Sequence, residues 1–111
     1  MPDLLKLAEI FESGTDIRGT WFKAAHAVLP ADHPALAWFA CGDLPKLSVA
    51  GACRPEGWQL AQVWPWHVAY RVWLRNHETG KGVAEAIAPD FERALMSACL
   101  RAHHAVREAG Q

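Results

Sequence analysis

The chain has no long apolar run, few cysteines and almost no net charge, and each shortage excludes a class of protein. No apolar stretch approaches the roughly 18–20 residues that a membrane-spanning helix needs. Three widely spaced cysteines are too few for a secreted disulfide scaffold. A formal net charge of −1 lacks the basic surplus typical of dedicated nucleic-acid binders. The first residues also lack the basic and apolar regions of a signal peptide, so we expect a cytoplasmic protein with no membrane partner.

Apolar residues and tryptophans are plentiful. Hydrophobic residues make up 51% of 111 residues, which predicts one folded domain spanning residues 1–111. A small domain cannot easily bury six tryptophans together with their indole N–H groups. We therefore expect some of them at the surface, where exposed aromatic side chains indicate a binding site.

The first third of the sequence predicts helices. Residues 3–12 place Leu4, Leu7, Ala8 and Phe11 on one face at helical spacing. A second helix is predicted over residues 20–28 with Thr20 as its cap. A short third helix is predicted from Asp32, as the cap, to Cys41.

The middle of the chain predicts strands. Residues 47–53 and 58–64 alternate, with a turn at residues 54–57 between them, and Pro65 indicates an edge, a bulge or a break. Residues 67–75 alternate most clearly, residues 76–80 form a hairpin loop, and residues 82–88 return as a strand. The sequence therefore predicts three or four antiparallel strands.

The end of the sequence predicts a long helix that Pro89 and Asp90 begin and Gly110 ends. The overall prediction is an α+β domain: N-terminal helices, an antiparallel sheet, and a C-terminal helix packed on the sheet. Met96 and Leu100 fall on the outer face of this helix, where they could form a homodimer contact or be scattered surface residues.

One face of the strand at residues 67–75 combines aromatic and basic side chains. If its other face packs under the last helix, Trp73 points away from that helix. The face is then either open, as an interface with a partner, or covered by the N-terminal helices as a second core layer. Aromatic and arginine side chains on an open face are typical of interface hot spots. The predicted binding residues are His67, Arg71, Trp73 and Arg75, with Trp64 and Trp66 nearby.

Nucleic-acid binding is an alternative function. Arg93, Arg101, His104 and Arg107 add positive charge to the outer face of the last helix. The acidic start of that helix argues against this alternative, because it repels phosphate.

A small histidine-dependent, nuclease-like enzyme is a further alternative, with His67 or His77 as the acid–base group. The sequence has no phosphate loop, nucleophile elbow or other diagnostic catalytic spacing, so we predict that the protein is not an enzyme. Cys99 and His103 stand four residues apart on the last helix, but the chain has no Cys-x-x-Cys pair. We therefore predict neither a metal site nor a cofactor.

The C-terminal part of the chain resembles the small phage-encoded proteins described as α-β-α (ABA) sandwiches. The resemblance rests on a strand pair, Tyr70 to Leu74 and Val83 to Ile87, followed by Ala88-Pro89 and the helix from Ala94 to Ala102. It implies a phage or prophage accessory protein without a catalytic motif. Such proteins often bind and block or scaffold a host protein complex, as anti-CRISPR inhibitors of bacterial defence do. We therefore expect a host protein complex as partner.

Overall fold

A computed structural model describes residues 3–13, 18–36, 50–66, 69–76 and 82–109, where three longer helices and three strands form most of the regular structure. Statements below about structure concern those residues. The elements in chain order are α1 (Leu4–Ser13), α2 (Arg18–Val28), β1 (Trp58–Trp66), β2 (Ala69–Asn76), β3 (Val83–Ala88) and α3 (Phe91–Ala109).

Helices α1 and α3 begin at aspartate caps. The Asp3 carboxylate accepts a hydrogen bond from the backbone N–H of Lys6 at 3.2 Å, and Asp90 accepts one from the N–H of Arg93 at 2.9 Å. Each bond satisfies a backbone donor that the first helical turn leaves without a partner. Helix α3 begins as predicted, directly after Asp90, and α1 begins one residue after the predicted start at residue 3.

The cap predicted for α2 is wrong. The helix begins at Arg18, so Thr20 lies inside its first turn rather than before it. The third predicted helix is described only at residues 34–36, since residues 37–41 lie outside the described ranges. Its cap is also one residue later than predicted, because the His33 ring accepts the N–H of Ala35 at 3.1 Å through Nδ1.

The sheet is antiparallel with strand order β1-β2-β3. The turn predicted at residues 54–57 precedes it, where Trp58 donates to the Pro55 carbonyl at 3.1 Å and Gly57 has a φ of 84°. Strand β1 passes through Pro65, which is compatible with an edge strand because proline has no N–H to donate. The register of β1 against β2 shifts between Leu60 and Gln62, so a β-bulge lies there and not at the proline.

The strand predicted at residues 47–53 is wrong where the structure describes it. Residues 50–52 form a helical turn, and Cys53 ends it in a buried position. This turn packs against α3, where the Cys99 thiol donates to the Ala50 carbonyl at 3.3 Å. Small residues such as Ala50 and Gly51 carry little side-chain periodicity, and tertiary packing therefore decides their conformation. The described sheet has three strands.

Helix α3 is the centre of the fold. It packs on β2 and β3 and also against α1, with α2 beside them. Every residue from Ala94 to Leu100 is buried, including Met96 and Leu100 at 0% exposure. Their predicted place on an outer helix face is wrong, because neighbours surround this helix on several sides. The homodimer prediction therefore loses the residues on which it was based.

The fold class is confirmed: the protein is an α+β domain whose long C-terminal helix packs on an antiparallel sheet. No helix in the described ranges has both the length and the apolar character needed to cross a membrane.

Candidate binding face on the sheet

The sheet has one face under the helices and one face away from them. On the helix side lie buried residues of the two strands that α3 covers, Val72 and Leu74 from β2 and Ala84 and Ala86 from β3. Side chains alternate between faces along a strand, and paired residues of adjacent strands share a face. The opposite face, here called the outer face, therefore carries three rows of paired residues. These rows are Gln59–Arg75–Val83, Gln62–Trp73–Glu85 and Trp64–Arg71–Ile87.

In the described ranges, helices α1 and α2 do not form a second core layer over the outer face. Helix α1 packs against α3 and contacts β3, and α2 contacts α1 and α3, so they join the helix layer. Val83 is 56% exposed and Ile87 is 39% exposed, although both side chains are apolar. The outer face is thus open at these positions, as the interface interpretation predicts.

Four side chains at the centre of the outer face form a connected group, here called the Arg71 network: Trp64, Arg71, Trp73 and Glu85. Arg71 donates two parallel hydrogen bonds to the Glu85 carboxylate, from Nε at 2.9 Å and from Nη2 at 3.0 Å. The indole N–H of Trp73 donates to the same carboxylate. The guanidinium carbon of Arg71 lies 4.9 Å from the ring centre of Trp64 and 5.5 Å from that of Trp73, within cation–π distance.

The Arg71 network favours the ionised form of the Glu85 carboxylate. The hydrogen bonds and charge of Arg71, with a further bond from Trp73, lower the pKa of Glu85 below its ordinary value, although partial burial opposes the shift. Glu85 is therefore ionised at neutral pH and neutralises Arg71. The bidentate pair and the two rings hold one another in a fixed geometry. A face ordered before binding loses less side-chain entropy when a partner arrives.

The structure brings part of the predicted binding set together. Trp64, Arg71 and Trp73 are in contact, and Arg75 lies on the same face in an exposed position. Trp66 ends β1 opposite Ala69, but its side chain is outside the described part of the chain, as is all of His67. The sequence interpretation missed Glu85, Val83 and Ile87 as parts of this face. These three residues alternate with three alanines along β3, and this alternation indicates that they share one face of the strand.

The basic residues of α3 make contacts within the fold. Arg93 donates to the Phe11 carbonyl at 2.7 Å, and Arg107 donates to the Ala27 carbonyl at 3.1 Å. Each bond satisfies a carbonyl near the C-terminal end of α1 or α2. Arg101 forms a two-point ion pair with Glu12 of α1, at 3.1 and 2.6 Å. These contacts give the arginines a structural role that the sequence does not reveal.

His104 remains near the surface, where its ring lies 3.7 Å from the Glu108 carboxylate. The four residues of the nucleic-acid alternative thus lie along α3, but its three arginines already bind acceptors of α1 and α2. Nucleic-acid binding by these residues stays a prediction.

Cys99 and His103 both form hydrogen bonds to backbone carbonyls within the fold. Burial lowers the pKa of His103, so its ring is neutral and donates to the Cys53 carbonyl over 2.6 Å. Burial raises the pKa of Cys53 to about 12 and that of Cys99 as well, so both thiols are protonated and poor nucleophiles. Within the described ranges no three or more His, Cys, Asp or Glu side chains are grouped to hold a metal ion. His67 and His77, the candidate catalytic residues, lie outside those ranges.

No protein-family model matches the chain, and neither a curated protein nor a solved structure shows significant similarity to it. The resemblance to the ABA sandwich proteins therefore stays a prediction.

Proposed function

We propose that the protein is a non-enzymatic binding protein and that the outer face of the sheet contacts a protein partner. One observation carries the proposal: an open sheet face has exposed apolar residues beside an ordered group of tryptophan and arginine side chains. Val83 and Ile87 lie on the same edge strand, on either side of Glu85. Buried tryptophan and arginine anchors next to apolar contact area are typical of protein interfaces.

The charge of the outer face favours a protein over a nucleic acid. Its ionised residues are Arg71, Arg75 and Glu85, and Arg71 is already paired with Glu85. Among the described residues of this face one positive charge therefore remains, whereas proteins that bind nucleic acids neutralise several phosphates at once. In its most specific form, the proposal is a cytoplasmic, phage- or prophage-type accessory protein. It would block or scaffold a host protein complex, as an anti-CRISPR protein does. The absence of a diagnostic catalytic spacing in the sequence supports this form.

The proposal can be tested with neutral substitutions on the outer face. The double variant Val83→Gln, Ile87→Gln adds no charge beside Arg71 or Arg75 but places amides where apolar contact is expected. The matched control is Val106→Gln on α3, where valine is 45% exposed and lies away from the sheet face. The proteins are tagged, used as bait in bacterial lysate treated with nuclease, and compared for a stoichiometric bound protein.

The wild type and the control should retain the same protein, and the double variant should lose at least about tenfold in affinity, because burying an unsatisfied amide is costly. Circular dichroism confirms that each variant is folded. Equal retention by all three proteins, or no protein retained by the wild type, would contradict the proposal. Bound material that is recovered only when the nuclease is left out would favour the nucleic-acid alternative.

A further inference from the structure

A pocket lies on the outer face beside the Arg71 network. It is lined by Ala61, Gln62, Trp73, Arg75 and Val83 and has a volume of about 350 Å³. This volume lies near the lower end of the range of roughly 300–1,000 Å³ found for pockets that hold small ligands. The pocket therefore has room for one amino-acid side chain but not for a large molecule.

The β-bulge in β1 forms one wall of this pocket. Leu60 pairs with Leu74 and Gln62 pairs with Trp73, so Ala61 has no paired residue across the strands. A bulge bends its strand and changes the direction of neighbouring side chains. The methyl group of Ala61 also leaves space that a larger side chain would fill, so the irregular register and the small residue together open the pocket.

The polar groups of the pocket match a carboxylate. Arg75 is exposed and forms no ion pair within the described part of the chain. Gln62 is paired with Trp73 across the strands and brings an amide that can donate a second hydrogen bond. Trp73 and Val83 supply apolar surface for an aliphatic stem. A guanidinium beside an amide and an apolar wall suits a short side chain that ends in a carboxylate.

We propose that this pocket binds the carboxylate of an aspartate or glutamate side chain on the protein partner. This inference rests on the proposed function and names the chemistry of the partner at one point of the interface. Arg71 does not line the pocket, and its charge is already paired with that of Glu85. Among the described residues Arg75 is the one cation that lines the pocket, and one positive charge matches a singly charged carboxylate better than a phosphate, which carries more negative charge at neutral pH.

The test is a nuclear magnetic resonance titration of ¹⁵N-labelled protein with blocked dipeptides. The probes are acetyl-Leu-Glu-amide, its neutral counterpart acetyl-Leu-Gln-amide, and inorganic phosphate. The reporters are the backbone N–H of Ala61, the indole N–H of Trp73 and the Nε–H of Arg75. The Glu dipeptide should shift all three signals in a saturable way, and the Gln dipeptide should bind at least about fivefold more weakly.

Two variants and one control locate the binding. Arg75→Gln removes the cation, and Ala61→Leu fills the pocket without changing any charge, so both should abolish the shifts. Arg54→Gln removes an exposed arginine that does not line the pocket and should leave the titration unchanged. Unchanged binding by Arg75→Gln, equal binding of the two dipeptides, or preferential binding of phosphate would each overturn the inference.

The two proposals fail in different ways. If the dipeptide does not bind but the Val83→Gln, Ile87→Gln variant still loses its partner, the pocket assignment is wrong and the interface stands. If that variant keeps its partner, the proposed interface is wrong whatever the dipeptide does.

Discussion

Replacement of Glu85 by glutamine tests whether the Arg71 network is a real and ordered part of the outer face. The substitution keeps the size of the side chain but removes its charge and the paired hydrogen bonds from Arg71. The side chain of Glu85 is 37% exposed and that of Arg71 is 26% exposed, so water screens the ion pair and limits its strength. Exposed pairs contribute about 0.2–1 kcal/mol, and the two-point geometry and the indole bond favour the upper end, about 1 kcal/mol.

The loss can be measured by urea unfolding followed by far-ultraviolet circular dichroism. Small proteins lose about 1–3 kcal/mol of stability per molar urea, so a loss of about 1 kcal/mol lowers the midpoint by roughly 0.3–1 M. The matched control is Glu108→Gln. The Glu108 side chain is 65% exposed and lies 3.7 Å from His104, so its loss should leave the midpoint unchanged within error.

The direction of the Glu85 pKa shift predicts how the stability difference between wild type and Glu85→Gln depends on pH. The pKa of Glu85 in the folded protein lies below its ordinary value of 4.5, which applies to the unfolded chain. Its contribution is therefore fully present above that value and is lost as the pH falls through the lower, folded pKa. The difference in stability between wild type and Glu85→Gln should be constant near neutral pH and shrink as the pH falls below 4.5. A difference that is absent at neutral pH, or that persists undiminished in acid, would refute the reasoning.

Three further experiments test the fold. Leu100→Ala should lower the free energy of unfolding, measured with urea, by about 2–5 kcal/mol, because the side chain is fully buried. A loss below about 0.5 kcal/mol would show that Leu100 lies at the surface. Asp90→Ala should cost about 1 kcal/mol through loss of the α3 cap, and Asp90→Asn, which keeps a capping oxygen, should restore most of it. In a double-mutant cycle, Glu12→Gln and Arg101→Gln should show a coupling of about 1–2 kcal/mol, since their side chains are only 20% and 30% exposed; additive effects would mean that the ion pair contributes nothing.

The sequence was most informative where side-chain period and caps agreed. Helix α3 combines a capping aspartate with apolar residues at helical spacing, and the structure confirms its start at Phe91 after Asp90. The alternation through Val72 and Leu74 likewise identified which face of β2 is buried. In these segments local preference and tertiary packing require the same conformation, so the sequence pattern is sufficient.

The sequence was less informative where tertiary packing alone determines which residues are buried and which residues are in contact. Nothing in the local sequence shows that Met96 and Leu100 are buried, because neighbours from distant parts of the chain cover a helix face that looks peripheral in isolation. The same limit applies to Arg93, whose acceptor is a carbonyl of α1, 82 residues away in the sequence. Contacts of this kind depend on how helices pack, which periodicity does not specify.

The two arginines of β2 show how a local register can assign different roles to one residue type. Arg71 and Arg75 lie on the same face of the strand, yet only Arg71 forms an ion pair with Glu85. The cross-strand partner of Arg75 is the apolar Val83, and the bulge at Ala61 leaves a pocket rather than an acidic side chain beside it. Arg71 therefore orders the tryptophans, whereas Arg75 supplies the net charge of the described part of the face. Because apolar contact discriminates weakly between partners, we expect that, under the proposed function, the charge at Arg75 favours an acidic residue on the partner.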